Sequence, residues 1–154
     1  WYYEQLELGF NYRMTDIHAA LGKSQLERLD EFVALRHKCQ IRYDELLKDL
    51  PIIAPYQDLN SYSALHLYPI KIQIDKVKST RKEIFEALRK NDIGVNVHYI
   101  PVHTQPYYEN MGFKKGDFPN AESYYESTIS IPLFHVMTFE QQDQVIAALK
   151  KVLK

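Results

Sequence analysis

The chain has 154 residues and a net charge of −1, enough for one domain with a real core and no electrostatic footprint for nucleic acid or an acidic membrane surface. Apolar residues make up 45% and charged residues 25%, which is ordinary globular composition. Cys39 is the only cysteine, so an internal disulfide framework is excluded, and its helical surroundings predict a small buried apolar group.

Trp1 to Leu8 mixes aromatic and acidic residues and reads as an extended arm. Gly9 then turns the chain and exposes Asn11, Tyr12 and Arg13 in succession. Thr15 and Asp16 open a helix: a side-chain oxygen at this position bonds the free N–H groups of the first turn, and a carboxylate suits the positive helix end. Donor groups beside a helix N-terminus can meet an anion. The same residues are equally consistent with Asn11 supporting the turn and Arg13 being a surface charge.

From Ile17 onward the apolar positions change side. Ile17, Ala20 and Leu21 lie on one face, whereas Leu29, Phe32, Val33, Tyr43 and Leu47 lie on another. One straight helix would have to bury two faces. A break between Gln25 and Asp30 resolves this, with the first segment contacting something outside the domain and the second forming its backbone up to Pro51.

Ile52 to Asn60 reads as a loop with a short extended piece. Ala64 to Ile74 alternates as a strand, with Pro69 implying a bulge or an edge position. Thr80 and Glu83 form a capping box for a helix that ends at Asn91 to Gly94. Val95 to Ile100 reads as a second strand, Thr104 to Phe113 as one irregular helical turn, Pro119 to Ser127 as a helix, and Ile129 to Pro132 as a short strand. Thr138 and Gln141 make a second capping box for a last helix with Val145, Ile146, Leu149, Val152 and Leu153 on its apolar side. Few strands separated by helices predict an α+β, two-layer domain with helices on one face of a small sheet.

The segment Gly94 to Tyr108 holds two histidines, three tyrosines, one glutamine and one asparagine at a strand end, where rigid support commonly meets functional groups. Imidazole and phenol groups can bond hydroxyls and phosphates while ring faces cover a base or sugar. The alternative is that Tyr99 and one histidine are satisfied core groups. The spacing of His98 and His103 on an extended chain is poor for one metal ion, and the segment has no cysteine or carboxylate, so no metal is expected.

Gly9-Phe10-Asn11-Tyr12-Arg13-Met14, then Ala19-Ala20-x-Gly22, Gln25-Leu26-x-x-Leu29 and Arg36, form a long pattern. It resembles the sugar aminotransferases that use pyridoxal 5′-phosphate (PLP), the DegT/DnrJ/EryC1/StrS family, and the likeness runs over nearly the whole chain. Within the family it leans toward enzymes that aminate a 4-keto sugar on a UDP carrier, on the route to pseudaminic acid. The resemblance implies the small C-terminal domain of a fold-type I aminotransferase, with residues 1–14 as arm and interdomain turn and residues 15–154 as the domain. The start Trp1-Tyr2-Tyr3 agrees with a piece of a longer protein.

The resemblance further implies that Asn11, with Tyr12 and Arg13 nearby, reaches the phosphate of PLP in a partner subunit's active site, and that His98, Tyr99 and His103 face the sugar nucleotide. A homodimer, a nucleotide-sugar substrate and an amino donor such as glutamate follow from the same likeness. Transamination needs a lysine that bonds the cofactor covalently. None of the chain's lysines sits in anything like the family's lysine motif, so no catalytic residue is assigned and the lysine is expected in a larger domain outside this chain. Two other outcomes stay open: a binding or assembly module that kept the fold, and the equivalent domain of a PLP-type sugar dehydratase. No basic start precedes an apolar run, and no apolar stretch approaches the ~18 residues a membrane span needs, so a cytoplasmic protein is expected.

Overall fold

The computed structural model describes residues 2, 4–10 and 12–154. The helix break falls where the apolar faces part. α1 spans Asp16–Leu26, and α2 spans Leu29–Leu46. Thr15 caps α1 by accepting the His18 N–H at 3.3 Å. Residues 47–50 leave the helix as a turn, so α2 stops one turn short of the expected boundary at Pro51.

Among the described residues the sheet has three antiparallel strands in the order β1-β2-β3: Ile52–Ile53, Tyr68–Ile72 and Thr128–Ile131. The strand expected over Ala64 to Ile74 is shorter than its alternation suggested. Its first residues are held by α2 instead: Arg36 donates to the Ala64 carbonyl at 2.9 Å, and His37 bonds the Ser63 carbonyl at 2.8 Å. Leu65, with φ of 48°, turns the chain there and buries its side chain. Pro69 lies in the middle strand, but β1 pairs only with Lys71 and Ile72. At Pro69 the sheet has a neighbour on one side only, and the missing N–H therefore breaks no ladder on the other.

The strand expected from Val95 to Ile100 is reduced to a single antiparallel bridge between Asn96 and Ser130. Val95 is buried and Val97 half-buried, so the alternation was read correctly, but Tyr99 swings outward and ends it. The remaining elements are α3 (Arg81–Lys90), a 3-10 turn at Val102–Thr104, α4 (Pro106–Glu109), α5 (Pro119–Ser127) and α6 (Phe139–Val152). Both expected capping boxes are present, at Thr80 with Glu83 and at Thr138 with Gln141. β3 begins and ends one residue before its expected limits.

The fold is α+β, with α2, α3 and α6 sharing one core with the sheet. Tyr43 and Leu47 from α2, Ile84 and Leu88 from α3, and Val145 and Leu149 from α6 close on Tyr68, Ile70, Ile72, Ile129 and Val95. Alternation in β2 puts Tyr68, Ile70 and Ile72 on the buried side. The two buried phenols are satisfied: Tyr43 donates to the Pro132 carbonyl at 3.0 Å, and Tyr68 donates to Asp44. Burial is the first cause that pushes both hydroxyls above the ordinary tyrosine range. Cys39 is buried as expected, and burial likewise raises its thiol.

Candidate functional site

The bridge between Asn96 and Ser130 fixes the approach of the histidine-rich segment to β3. The Asn96 N–H donates to the Ser130 carbonyl at 3.1 Å, and the Ser130 N–H returns a bond to the Asn96 carbonyl at 2.8 Å. Two residues on, His98 lies half-buried with its Nδ1 2.8 Å from the Ser130 hydroxyl. A cleft of about 450 Å³ opens beside it, lined by His66, Asn96, His98, Ser130 and Phe134 among others.

Tyr99 is 74% exposed and meets the His98 ring edge-on at 4.7 Å. It lines a second, larger cleft of about 570 Å³ with Arg81, Lys82, Phe85, Gln105 and Tyr125. The Arg81 guanidinium sits over the Tyr125 ring at 4.5 Å, a placement that holds the cation at the cleft wall. His98 and Tyr99 thus sit at adjoining clefts, supported by the Ser130 bridge on one side and α3 on the other.

His103 is placed differently. It is 7% exposed, its Nε2 lies 2.8 Å from Glu122 Oε1, and its ring lies 4.8 Å from that of Phe118. The same carboxylate oxygen accepts the Gly116 N–H at 2.7 Å. That backbone donor, followed by His103, holds the Glu122 carboxyl below its ordinary range. Gly116 adopts φ of 100°, which the turn needs and which a side chain would resist. His103 therefore ties the turn at Val102–Thr104 to the loop before α5.

Tyr12 is 91% exposed and Arg13 is exposed. Asn11 lies outside the described residues. Among the described residues no hydrogen bond, ion pair or ring contact joins Tyr12 or Arg13 to His98, Tyr99 or His103; Tyr12 donates its N–H to the Phe10 carbonyl at 2.9 Å and its ring meets that of Phe10. Ile17, at 80% exposure, and Leu21 leave an apolar face on α1 uncovered, as the change of face in the sequence implied. Ser130, Glu122 and Arg81 were missed by sequence reasoning. Their partners lie 19 to 44 residues away, and no local pattern encodes such pairings.

The sequence profile of the DegT/DnrJ/EryC1/StrS aminotransferase family matches residues 1–150. The chain belongs to this family. Curated relatives include the spore coat polysaccharide biosynthesis protein SpsC of Bacillus subtilis, 40% identical over 100% of this chain and 40% of its own length. An uncharacterized protein of Methanocaldococcus jannaschii is 41% identical over 99% of this chain and 40% of its own. The chain therefore spans about two fifths of the length of these relatives.

Among solved structures, Helicobacter pylori PseC, an aminotransferase of pseudoaminic acid biosynthesis, superposes with a TM-score of 0.88 at 29% identity, covering 97% of this chain and 40% of that one. Spr1654 of Streptococcus pneumoniae, assigned as a sugar aminotransferase and solved in its PMP form, gives a TM-score of 0.90 at 30% identity over 99% of this chain and 38% of that one. The α+β fold is that of a fold-type I aminotransferase domain.

Spr1654 is also solved in a PLP form, which raises the question of what the residues of this chain offer that cofactor. A lysine bonded to PLP needs an enclosed site that lowers its pKa. Every lysine of the chain is exposed, so these residues alone form no enclosed site around one. The exposed turn at Tyr12 and Arg13 does fit a contact to a phosphate, with the Arg13 fork free to make charge-assisted bonds. Among the described residues no group of three or more His, Cys, Asp or Glu side chains could hold a metal ion, and no helix is long and apolar enough to cross a membrane.

Proposed function

We propose that the chain serves as the small C-terminal domain of a nucleotide-sugar aminotransferase, which moves an amino group from a donor such as glutamate to a keto sugar in glycan or surface polysaccharide biosynthesis. The family match over residues 1–150 carries this reading. The names of PseC and SpsC support the sugar and polysaccharide class. Cytoplasmic location and a homodimer belong to the same proposal and rest on the family alone.

PLP, when bound, supplies the electron sink that lets nitrogen pass between two carbons. This chain's part is to bind and orient. Asn11, Tyr12 and Arg13 contact the cofactor phosphate across a subunit boundary, and the apolar face at Ile17 and Leu21 is covered by the rest of the enzyme. Tyr99 lays its ring and hydroxyl against the sugar nucleotide, and His98 bonds one of its oxygens. His103 enters as a support: with Nε2 engaged by Glu122, it holds the wall behind Val102 and Phe118 in place.

The test uses the complete polypeptide that contains this chain, supplied with glutamate and a UDP-linked 4-keto sugar. Formation of the amino sugar and of 2-oxoglutarate is expected, with weaker PLP retention in Asn11→Ala. A complete enzyme that removes a hydroxyl without transferring nitrogen, or that transfers nothing, would overturn the proposal.

A further inference from the structure

Ser130 is 4% exposed, and among the described residues its hydroxyl has one hydrogen-bond partner, the Nδ1 of His98 at 2.8 Å. A serine hydroxyl is one donor and an acceptor; a neutral imidazole has one N–H and one bare nitrogen. Two assignments are open. If Nδ1 carried the proton, Ser130 would only accept, and its own O–H, on a residue 4% exposed, would be left with no acceptor among the described residues. A buried donor left unmet bears its full desolvation penalty. If instead the Ser130 O–H donates to a bare Nδ1, both groups are satisfied and the ring proton resides on Nε2.

We infer that Ser130 is a positioning residue that fixes His98 in the Nε2–H tautomer, so that the imidazole presents an N–H donor to the cleft it lines with His66 and Asn96. Nε2 lies across the ring from Ser130 and has no partner among the described residues. The backbone explains why the pair holds. The Asn96–Ser130 bridge sets the register, and Asn96 and His98, two apart on an extended chain, share the face toward Ser130. A donor at Nε2 selects an oxygen acceptor on the ligand: a phosphoryl, hydroxyl or keto oxygen. It does not accept a proton from a substrate carbon. The consequence for substrate rests on the proposed reading of His98 as a sugar-nucleotide contact; the tautomer does not.

The direct test is nitrogen-15 NMR of the chain labelled at histidine, at a pH where His98 is neutral. The expected spectrum shows an unprotonated-type shift for Nδ1 and a protonated-type shift for Nε2, with the Nδ1 resonance moving in Ser130→Ala and returning in Ser130→Thr. A protonated Nδ1 in the neutral ring would overturn the inference, and should Ser130→Ala fail to fold, the unsubstituted chain's spectrum alone decides. The second arm is steady-state kinetics of the complete polypeptide. Ser130→Ala and His98→Ala should each raise KM for the keto sugar nucleotide several-fold with kcat little changed. A rise in His98→Ala alone removes Ser130 from any positioning role in the reaction. Silence in both variants removes His98 from the substrate site and defeats that part of the proposed function, while the nitrogen spectrum still decides the tautomer.

Discussion

Nε2 of His103 lies 2.8 Å from Oε1 of Glu122, and the same oxygen takes the Gly116 N–H at 2.7 Å. One carboxylate on α5 thus joins the turn at His103 to the loop at Gly116. Because these bonds favour the charged form, the Glu122 carboxyl sits below its ordinary value of 4.5. A depressed folded pKa means the stabilisation is complete above the unfolded value and is lost as pH falls through the folded one. Glu122→Gln should therefore lower the melting temperature at neutral pH, and its gap to the unsubstituted chain should close as the pH is taken below about 4.5. Thermal melts across pH 3 to 8 would check the sign; a gap that widens in acid would be inconsistent with it.

The buried phenol of Tyr68 donates to Asp44, which also accepts from Gln40. Tyr68→Phe keeps the ring packed against Tyr43 at 5.2 Å but removes the donor. A hydrogen bond to a charged group contributes about 1.5–3 kcal/mol, so the variant should lose stability by about that amount in urea titrations, with an unchanged m-value.

Helix α3 carries the Arg81 wall of the larger cleft, and its start is held by Thr80. The Thr80 hydroxyl accepts the Glu83 N–H at 3.3 Å, while Glu83 accepts the Thr80 N–H at 2.7 Å. Thr80→Ala should cost about 1 kcal/mol by loss of the cap. Thr80→Ser should recover most of it in the same denaturation measurement.

The arm and α1 make a different prediction. Ile17 and Leu21 are exposed in this chain, and surface changes usually stay within about ±0.5 kcal/mol. Ile17→Glu with Leu21→Glu should leave the chain's own unfolding curve unchanged. In the complete polypeptide the same pair should weaken dimerisation, measured by sedimentation, because a charge would be buried where an apolar face is covered.

Local chemistry was easy to read in the sequence. Both capping boxes and the short turn near Tyr107 follow from patterns of a few residues, and the break between the first two helices and the burial of Cys39 follow from the helical periodicity of one continuous stretch. The shortening of the strand expected from Ala64 was not legible, because what holds its start is distant: Arg36 and His37 take the carbonyls of Ala64 and Ser63. The candidate site divides the same way. The cluster of His98, Tyr99 and His103 stood out by composition. That His98 is braced by Ser130 and His103 by Glu122 depends on how β3 and α5 return to that segment, which no periodicity reveals.

The central claim is that this chain binds and orients while the cofactor is anchored covalently outside it. The most direct measurement is to incubate the 154-residue chain with PLP, remove free cofactor, and follow amination of a UDP-linked 4-keto sugar with glutamate beside the complete polypeptide. The account predicts no retained cofactor absorbance and no amino sugar from the chain, with both present in the complete polypeptide. Retained, borohydride-fixable PLP on one of this chain's lysines, together with amino sugar formed by the chain alone, would contradict it.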